Sequence, residues 1–147
     1  MMAKFDENLG VLLAHICRAE RGLVEAEFNK LGLHAGQERV LLDLMEQESV
    51  GQSDLVTRLC VEPPTITKML QRMEKAGLVE RRQDDEDGRA SRVIVTAQGR
   101  ALQQPILQVW ADLEVRLLAN MTLTEQMLLR RLLMQALANL TAVQDET

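Results

Sequence analysis

With 147 residues, 46% of them apolar and 27% charged, the chain suits one compact domain or a small two-lobed subunit and is too apolar to be disordered. Aromatics are confined to Phe5, Phe28 and Trp110, against 25 leucines, which argues against an all-β sandwich or barrel and for packed helices. The net charge of −5 does not exclude nucleic acid, because residues 50–100 carry nine Lys/Arg against eight acids and four of those acids crowd into 84–87, leaving the rest of that segment basic.

Residues 6–31 read as a first helix, with Leu9, Leu12, Leu13, Ile16 and Leu23 at helical spacing and Gly32 as its stop. A second helix, about 35–47, places Val40, Leu41, Leu44 and Met45 on one side. A short third helix covers about 52–60, and Pro63-Pro64 open a fourth over about 63–76. Proline suits a first helical position because its missing N–H has no partner there anyway. In the fourth helix Ile66, Met69, Leu70 and Met73 share one face, whereas Lys68, Gln71 and Lys75 point the opposite way, flanked by Thr65, Thr67 and Arg72. Gly77 ends it. Residues 78–82 and 91–95 then read as a β-hairpin around a polar loop at 83–90. Thr96 is a candidate N-cap for a helix over about 97–120, which Pro105 either bends or leaves frayed at its start. The last helix, about 123–143, carries Leu128, Leu129, Leu132, Leu133, Met134, Leu137 and Leu140. That stripe is too wide for one contact surface, and a second copy of the chain is the simplest cover for its outer side.

Two short helices joined by a tight turn, the second basic on its outer face, followed by an arginine-bearing hairpin, describe a winged helix-turn-helix. The B-DNA major groove, about 12 Å wide, admits one helix. Amide, hydroxyl and basic groups on that helix can read base edges while surrounding cations hold phosphates. An arginine at the hairpin tip can reach the negative minor groove. The expected fold is therefore mainly α with a small β-hairpin, a winged helix-turn-helix lobe and a helical dimerisation lobe.

The chain resembles the MarR family of bacterial transcription regulators over nearly its whole length. The resemblance is carried by Gln52-Ser-Asp-Leu-Val-Thr-Arg-Leu, Pro64-Thr-Ile-Thr-Lys, Leu70-Gln-Arg-Met-Glu-Lys-Ala-Gly-Leu-Val-Glu-Arg81, Asp84-Asp-Glu-Asp-Gly-Arg89 and Val95-Thr-Ala-Gln-Gly99. It implies a homodimer on a pseudo-palindromic operator in double-stranded DNA, usually a repressor released by a small ligand or by oxidation. It implies a dimerisation helix in 1–32, a DNA-binding lobe in 33–96 and dimerisation helices in 97–147. Matched by position, Thr65, Thr67, Lys68, Gln71 and Arg72 are candidate recognition-helix contacts, joined by Lys75 from the outward face, and Arg89 is the candidate wing tip, with Asp87 and Arg81 orienting the wing. Three positions depart from the pattern: Glu62, Gly51 and His34 stand where hydroxyl residues commonly cap helices.

The inducing signal is less legible. Peroxide-sensing members carry a reactive cysteine near the start of the first helix, but that position falls on Gly10, and the chain has no tyrosine to clamp one. Cys17 and Cys60 read as small buried hydrophobes, with a redox regulator using Cys17 as the alternative. His15 and Cys17 lie about 200° apart on a helix and cannot share a metal ion, so neither metal nor cofactor is expected. An aromatic or apolar effector is the remaining option, with His15, Met45 and Trp110 as candidate pocket residues beside Leu12 and Leu107. No phosphate loop, nucleophile pairing or metal motif supports an enzyme. A winged-helix module that binds another protein is the non-catalytic alternative, and the acidic run 84–87 would suit it. No apolar run approaches the roughly 20 residues of a membrane span and no export signal is evident, so a cytoplasmic location is expected.

Overall fold

The computed structural model of the chain describes residues 8–83, 85, 86, 88 and 91–142. Two compact units are present, Met1–Ala111 and Asp112–Thr147.

The first unit opens with α1 (Leu9–Lys30), capped by the Asn8 side chain, which accepts from the Gly10 and Val11 N–H groups. That cap starts the helix later than the expected residue 6. Its other end is a Schellman turn: Gly32 adopts φ +76°, the Leu33 N–H bonds to the Phe28 carbonyl at 2.9 Å and the Gly32 N–H to Asn29 at 3.0 Å. Phe28 and Leu33 are both buried, so the turn also seats two apolar side chains together. Next come α2 (Gln37–Met45), β1 (Val50–Gly51), α3 (Gln52–Leu59) and α4 (Pro63–Lys75). The cap of α2 is Gly36 at φ 89° and not His34. His34 instead donates its N–H to Gln37 Oε1 at 3.0 Å, which ties the first helical residue back to the turn before it. Gly51 and Glu62 do cap α3 and α4, and neither helix has a side-chain cap bond.

A second Schellman turn closes α4, with Gly77 at φ +75° and bonds from Leu78 to Met73 and from Gly77 to Glu74, both 2.9 Å. The chain then runs through β2 (Val79–Gln83) and β3 (Ser91–Val95). The expected hairpin is a three-stranded antiparallel sheet, ordered β1-β3-β2, in which Val50 pairs with Val93 and Val79 with Val95. A two-residue strand such as β1 has no period to read, which is why the sequence does not announce it. Ile66, Leu70 and Met73 of α4 join Val40, Leu41, Leu44, Leu55, Val79, Val93 and Val95 in one buried cluster.

The expected helix over 97–120 is two pieces, α5 (Ala97–Arg100) and α6 (Gln103–Leu117). Thr96 caps α5, accepting from the Gly99 N–H at 3.0 Å while donating to the Gly77 carbonyl at 2.6 Å. Pro105 falls in the first turn of α6, where its absent N–H leaves no carbonyl without a partner. Ile106 is buried in the cluster, and Trp110 packs on Phe28 with ring centroids 5.8 Å apart and tilted by 59°.

The second unit holds the end of α6 and α7 (Leu123–Ala142), joined through Asn120 at φ 63°. Thr122 and Glu125 form a reciprocal capping box at the start of α7: Glu125 Oε2 accepts from the Thr122 N–H at 2.7 Å, and the Thr122 hydroxyl accepts from the Glu125 N–H at 3.3 Å. The bonds that the Thr122 N–H and hydroxyl donate to Glu125 Oε2 hold its carboxyl below the usual carboxylate range. Glu114 pairs with Arg130. None of the α7 residues is buried. An apolar groove of about 200 Å³ runs past Leu117, Leu118, Leu129, Leu133 and Met134.

Candidate nucleic-acid interface

The candidate surface is built on α4, where burial of Ile66, Leu70 and Met73 fixes which side faces out. Thr65, Lys68, Gln71, Arg72 and Lys75 are all exposed. None of these five side chains forms a hydrogen bond or ion pair with a described residue. The helix thus presents two ammonium groups, one guanidinium, an amide and a hydroxyl, all free to engage a partner.

Thr67 stands apart from that group. It is half-buried; its hydroxyl donates to the Pro63 carbonyl at 3.0 Å and accepts from Gln52 Nε2 at 3.0 Å. Two other contacts tie neighbouring elements. Arg81 of β2 donates from Nε and a terminal nitrogen to Glu74 Oε2 of α4 at 3.0 and 2.8 Å, and its backbone N–H reaches Glu74 Oε1 at 3.3 Å. The Arg81 guanidinium holds the Glu74 carboxyl below its ordinary range. Arg92 of β3 donates to the Ser49 hydroxyl at 2.8 Å and to its carbonyl at 2.9 Å, fastening the sheet to the approach of β1. A further ion pair, Arg58 to Asp43 at 3.0 Å, links α3 to α2.

Arg81, expected to orient the wing, therefore acts on α4 directly. Its partner Glu74, with Gln52 and Ser49, escapes sequence reasoning because pairs 7, 15 and 43 residues apart, joining different elements, leave no periodic trace. Asp87 and Arg89 lie outside the described residues.

The candidate pocket residues do not share one environment. Met45 and Trp110 pack against the buried cluster, whereas His15 is exposed. The expectation of buried cysteines is overturned, since both Cys17 and Cys60 are exposed. Cys60 follows the last core-facing turn of α3 in a left-handed conformation, φ 50°, and α1 turns most of its apolar side outward, with Phe28 its buried residue. Burial also acts on Glu38: one carboxylate oxygen has no partner, and desolvation raises the pKa above the usual value despite the neighbouring Gly36 and Glu38 N–H groups, which pull it down. No group of three or more His, Cys, Asp or Glu that could hold a metal ion occurs among the described residues, and none of the described helices is long and apolar enough to cross a membrane.

Comparison with known proteins gives this arrangement its context. Residues 33–91 match the model of the MarR family. The chain is 30% identical over 128 residues to the HTH-type transcriptional repressor Rv2887 of Mycobacterium tuberculosis (strain ATCC 25618 / H37Rv), spanning 87% of this chain and 92% of that one. It is 28% identical over 106 residues to the organic hydroperoxide resistance transcriptional regulator of Bacillus subtilis (strain 168), 72% of each chain. Among solved structures, a crystal structure of MarR superposes with a TM-score of 0.85 at 30% identity over 97% of both chains. A cysteine-to-serine mutant of MarR from E. coli complexed with operator DNA gives 0.78 at 28% identity, covering 88% of this chain and 93% of that one. A winged helix-turn-helix that matches the family model, shares 30% identity with a curated repressor over most of both chains and superposes on MarR over 97% of its length has one assignment: the chain belongs to the MarR family of transcription regulators.

Proposed function

We propose that this regulator binds double-stranded operator DNA as a homodimer and represses transcription from it in the cytoplasm. The observation that carries the reading is the α4 face, with Thr65, Lys68, Gln71, Arg72 and Lys75 exposed and unpaired opposite a buried apolar stripe. Gln71 has the bidentate amide suited to an adenine edge, and the three cations suit phosphates and guanine. Arg89, which follows β2 and precedes β3 in the sequence, is the candidate minor-groove contact. The capture of operator DNA by a MarR variant of the same fold supports the reading.

The dimer rests on uncovered apolar surface. Leu9, Leu12, Leu13, Ile16 and Leu23 of α1 are exposed, as are Leu123, Met127, Leu128, Leu132, Leu133, Met134, Leu137 and Leu140 of α7. Exposed apolar stripes of this kind mark interaction sites, and a second copy brings an identical set to meet them.

Selection of bound duplexes from a random pool tests the proposal. The expected product is an inverted repeat with half-sites about 34 Å apart, one helical turn. Affinity should fall steeply with salt, log K by about 0.9 per phosphate contact per log unit. Gln71→Ala should relax preference at one base position, while Arg89→Ala should weaken all sequences alike. An unselective pool, or affinity unchanged in both variants, would refute the assigned surface.

A further inference from the structure

Thr67 and Glu74 lie seven residues apart on α4, at about 100° and 80° from Ile66 around the axis, whereas Lys68 and Lys75 stand at about 200° and 180°. One edge of the helix therefore carries both of its side-chain ties: Thr67 to Gln52, and Glu74 to Arg81. Gln52 opens α3 directly after Gly51 of β1, Gly51 pairs with Arg92 of β3, and Arg92 grips Ser49. Through these contacts α4 is fastened to both outer strands of the sheet, to β1 by way of Gln52 and to β2 by way of Arg81.

We infer that Gln52 and Thr67 form a brace that sets the pose of α4, so that Thr67 affects operator binding through helix position and not by touching DNA. A threonine hydroxyl has one proton to donate, and here it goes to the Pro63 carbonyl. Phosphate oxygens only accept hydrogen bonds, so this hydroxyl has nothing to offer them. One of its acceptor sites is already taken by Gln52. Gln52 is a positioning residue in this arrangement, and the reading side of α4 narrows to Thr65, Lys68, Gln71, Arg72 and Lys75. The inference rests on the DNA-binding reading above.

A double-mutant cycle on affinity for the selected duplex tests it, using Thr67→Val, Gln52→Ala and the double variant, with Thr67→Ser as the conservative control. Each single change should weaken binding about 3- to 10-fold, the worth of one hydrogen bond. The double variant should bind no worse than the weaker single, because both changes break the same contact. Thr67→Ser should keep full affinity, and the salt slope should stay unchanged in every variant. Losses that multiply in the double variant would show that Thr67 meets DNA on its own and overturn the inference. A slope smaller by about 0.9 in Thr67→Val would do the same by revealing a lost phosphate contact, as would full affinity in both singles. Should Thr67→Val unfold, Gln52→Ala against Gln52→Ala/Thr67→Ser carries the comparison, since the Pro63 bond persists in both; equal affinities are expected, and a further loss in the pair would refute the brace. Failure of the wild-type protein to bind any duplex would instead remove the DNA-binding reading, and the inference with it.

Discussion

Gly99 shows how one residue can be decided by its neighbours. A Cβ there would lie 2.3 Å from the Leu78 carbonyl oxygen and 2.7 Å from Val95 Cγ2, and backbone cannot swing aside as a flexible side chain can. Gly99→Ala should therefore cost about 1–3 kcal/mol, read as a lower urea midpoint; an unchanged midpoint would show that α5 can shift at no cost. Glu38 carries the opposite liability, a buried carboxylate with one unpartnered oxygen. Its pKa is raised by burial, so ionising it costs more in the folded chain than in the unfolded one. Its contribution to stability is fully present below the unfolded value near 4.5 and is lost as pH rises through the folded pKa. Glu38→Gln keeps an acceptor for the helix N-terminus and removes the charge. It should raise stability at pH 7, a gain that closes below about pH 4. Denaturant titrations at both pH values check this, and a gain of equal size at low pH would contradict the assignment to charge.

At the scale of the element, three helices end alike but not equally well. The turns closing α1 and α4 use Gly32 and Gly77, with bonds of 2.9 to 3.0 Å. The turn closing α3 uses Cys60 at φ 50°, and its two bonds, Val61 to Val56 and Cys60 to Thr57, stretch to 3.4 Å. A side chain in the left-handed region strains the backbone, and glycine relieves that strain at some cost in unfolded-chain entropy. Cys60→Gly should raise stability by about 0.5–1 kcal/mol, measured by thermal or urea unfolding. A loss would mean that the thiol contact to the Thr57 carbonyl, 3.7 Å, outweighs the strain. Both glycine stops, Pro63 at the head of α4 and the apolar stripe through it were legible in the sequence, because each is local chemistry. The break between α5 and α6 was legible only in part. Residues 97–117 form one plausible helical run that Pro105 is expected to bend or fray, and the observed break falls just before it, between Arg100 and Gln103.

For the whole molecule, the uncovered leucines of α7 set the strongest expectation. Leu137 is 63% exposed, so a charge there would be harmless to an isolated chain. Leu137→Glu should leave the helical content of the chain intact, shift the sedimenting species from dimer to monomer, and weaken operator binding with it, because one subunit reaches one half-site. A variant that still sediments as a dimer would place the interface elsewhere.

Periodicity, glycine stops and the ordered motifs between Gln52 and Gly99 are read over a few neighbouring positions, and they carried the helices, the wing strands and the outward side of α4. What they could not carry were contacts between distant segments: the third strand, the exposure of both cysteines, the orphaned oxygen of Glu38, and the engagement of Thr67 by Gln52. Local pattern records which way a side chain points along its own element. Which group it then meets depends on how elements far apart in the chain come together, and that is settled by packing.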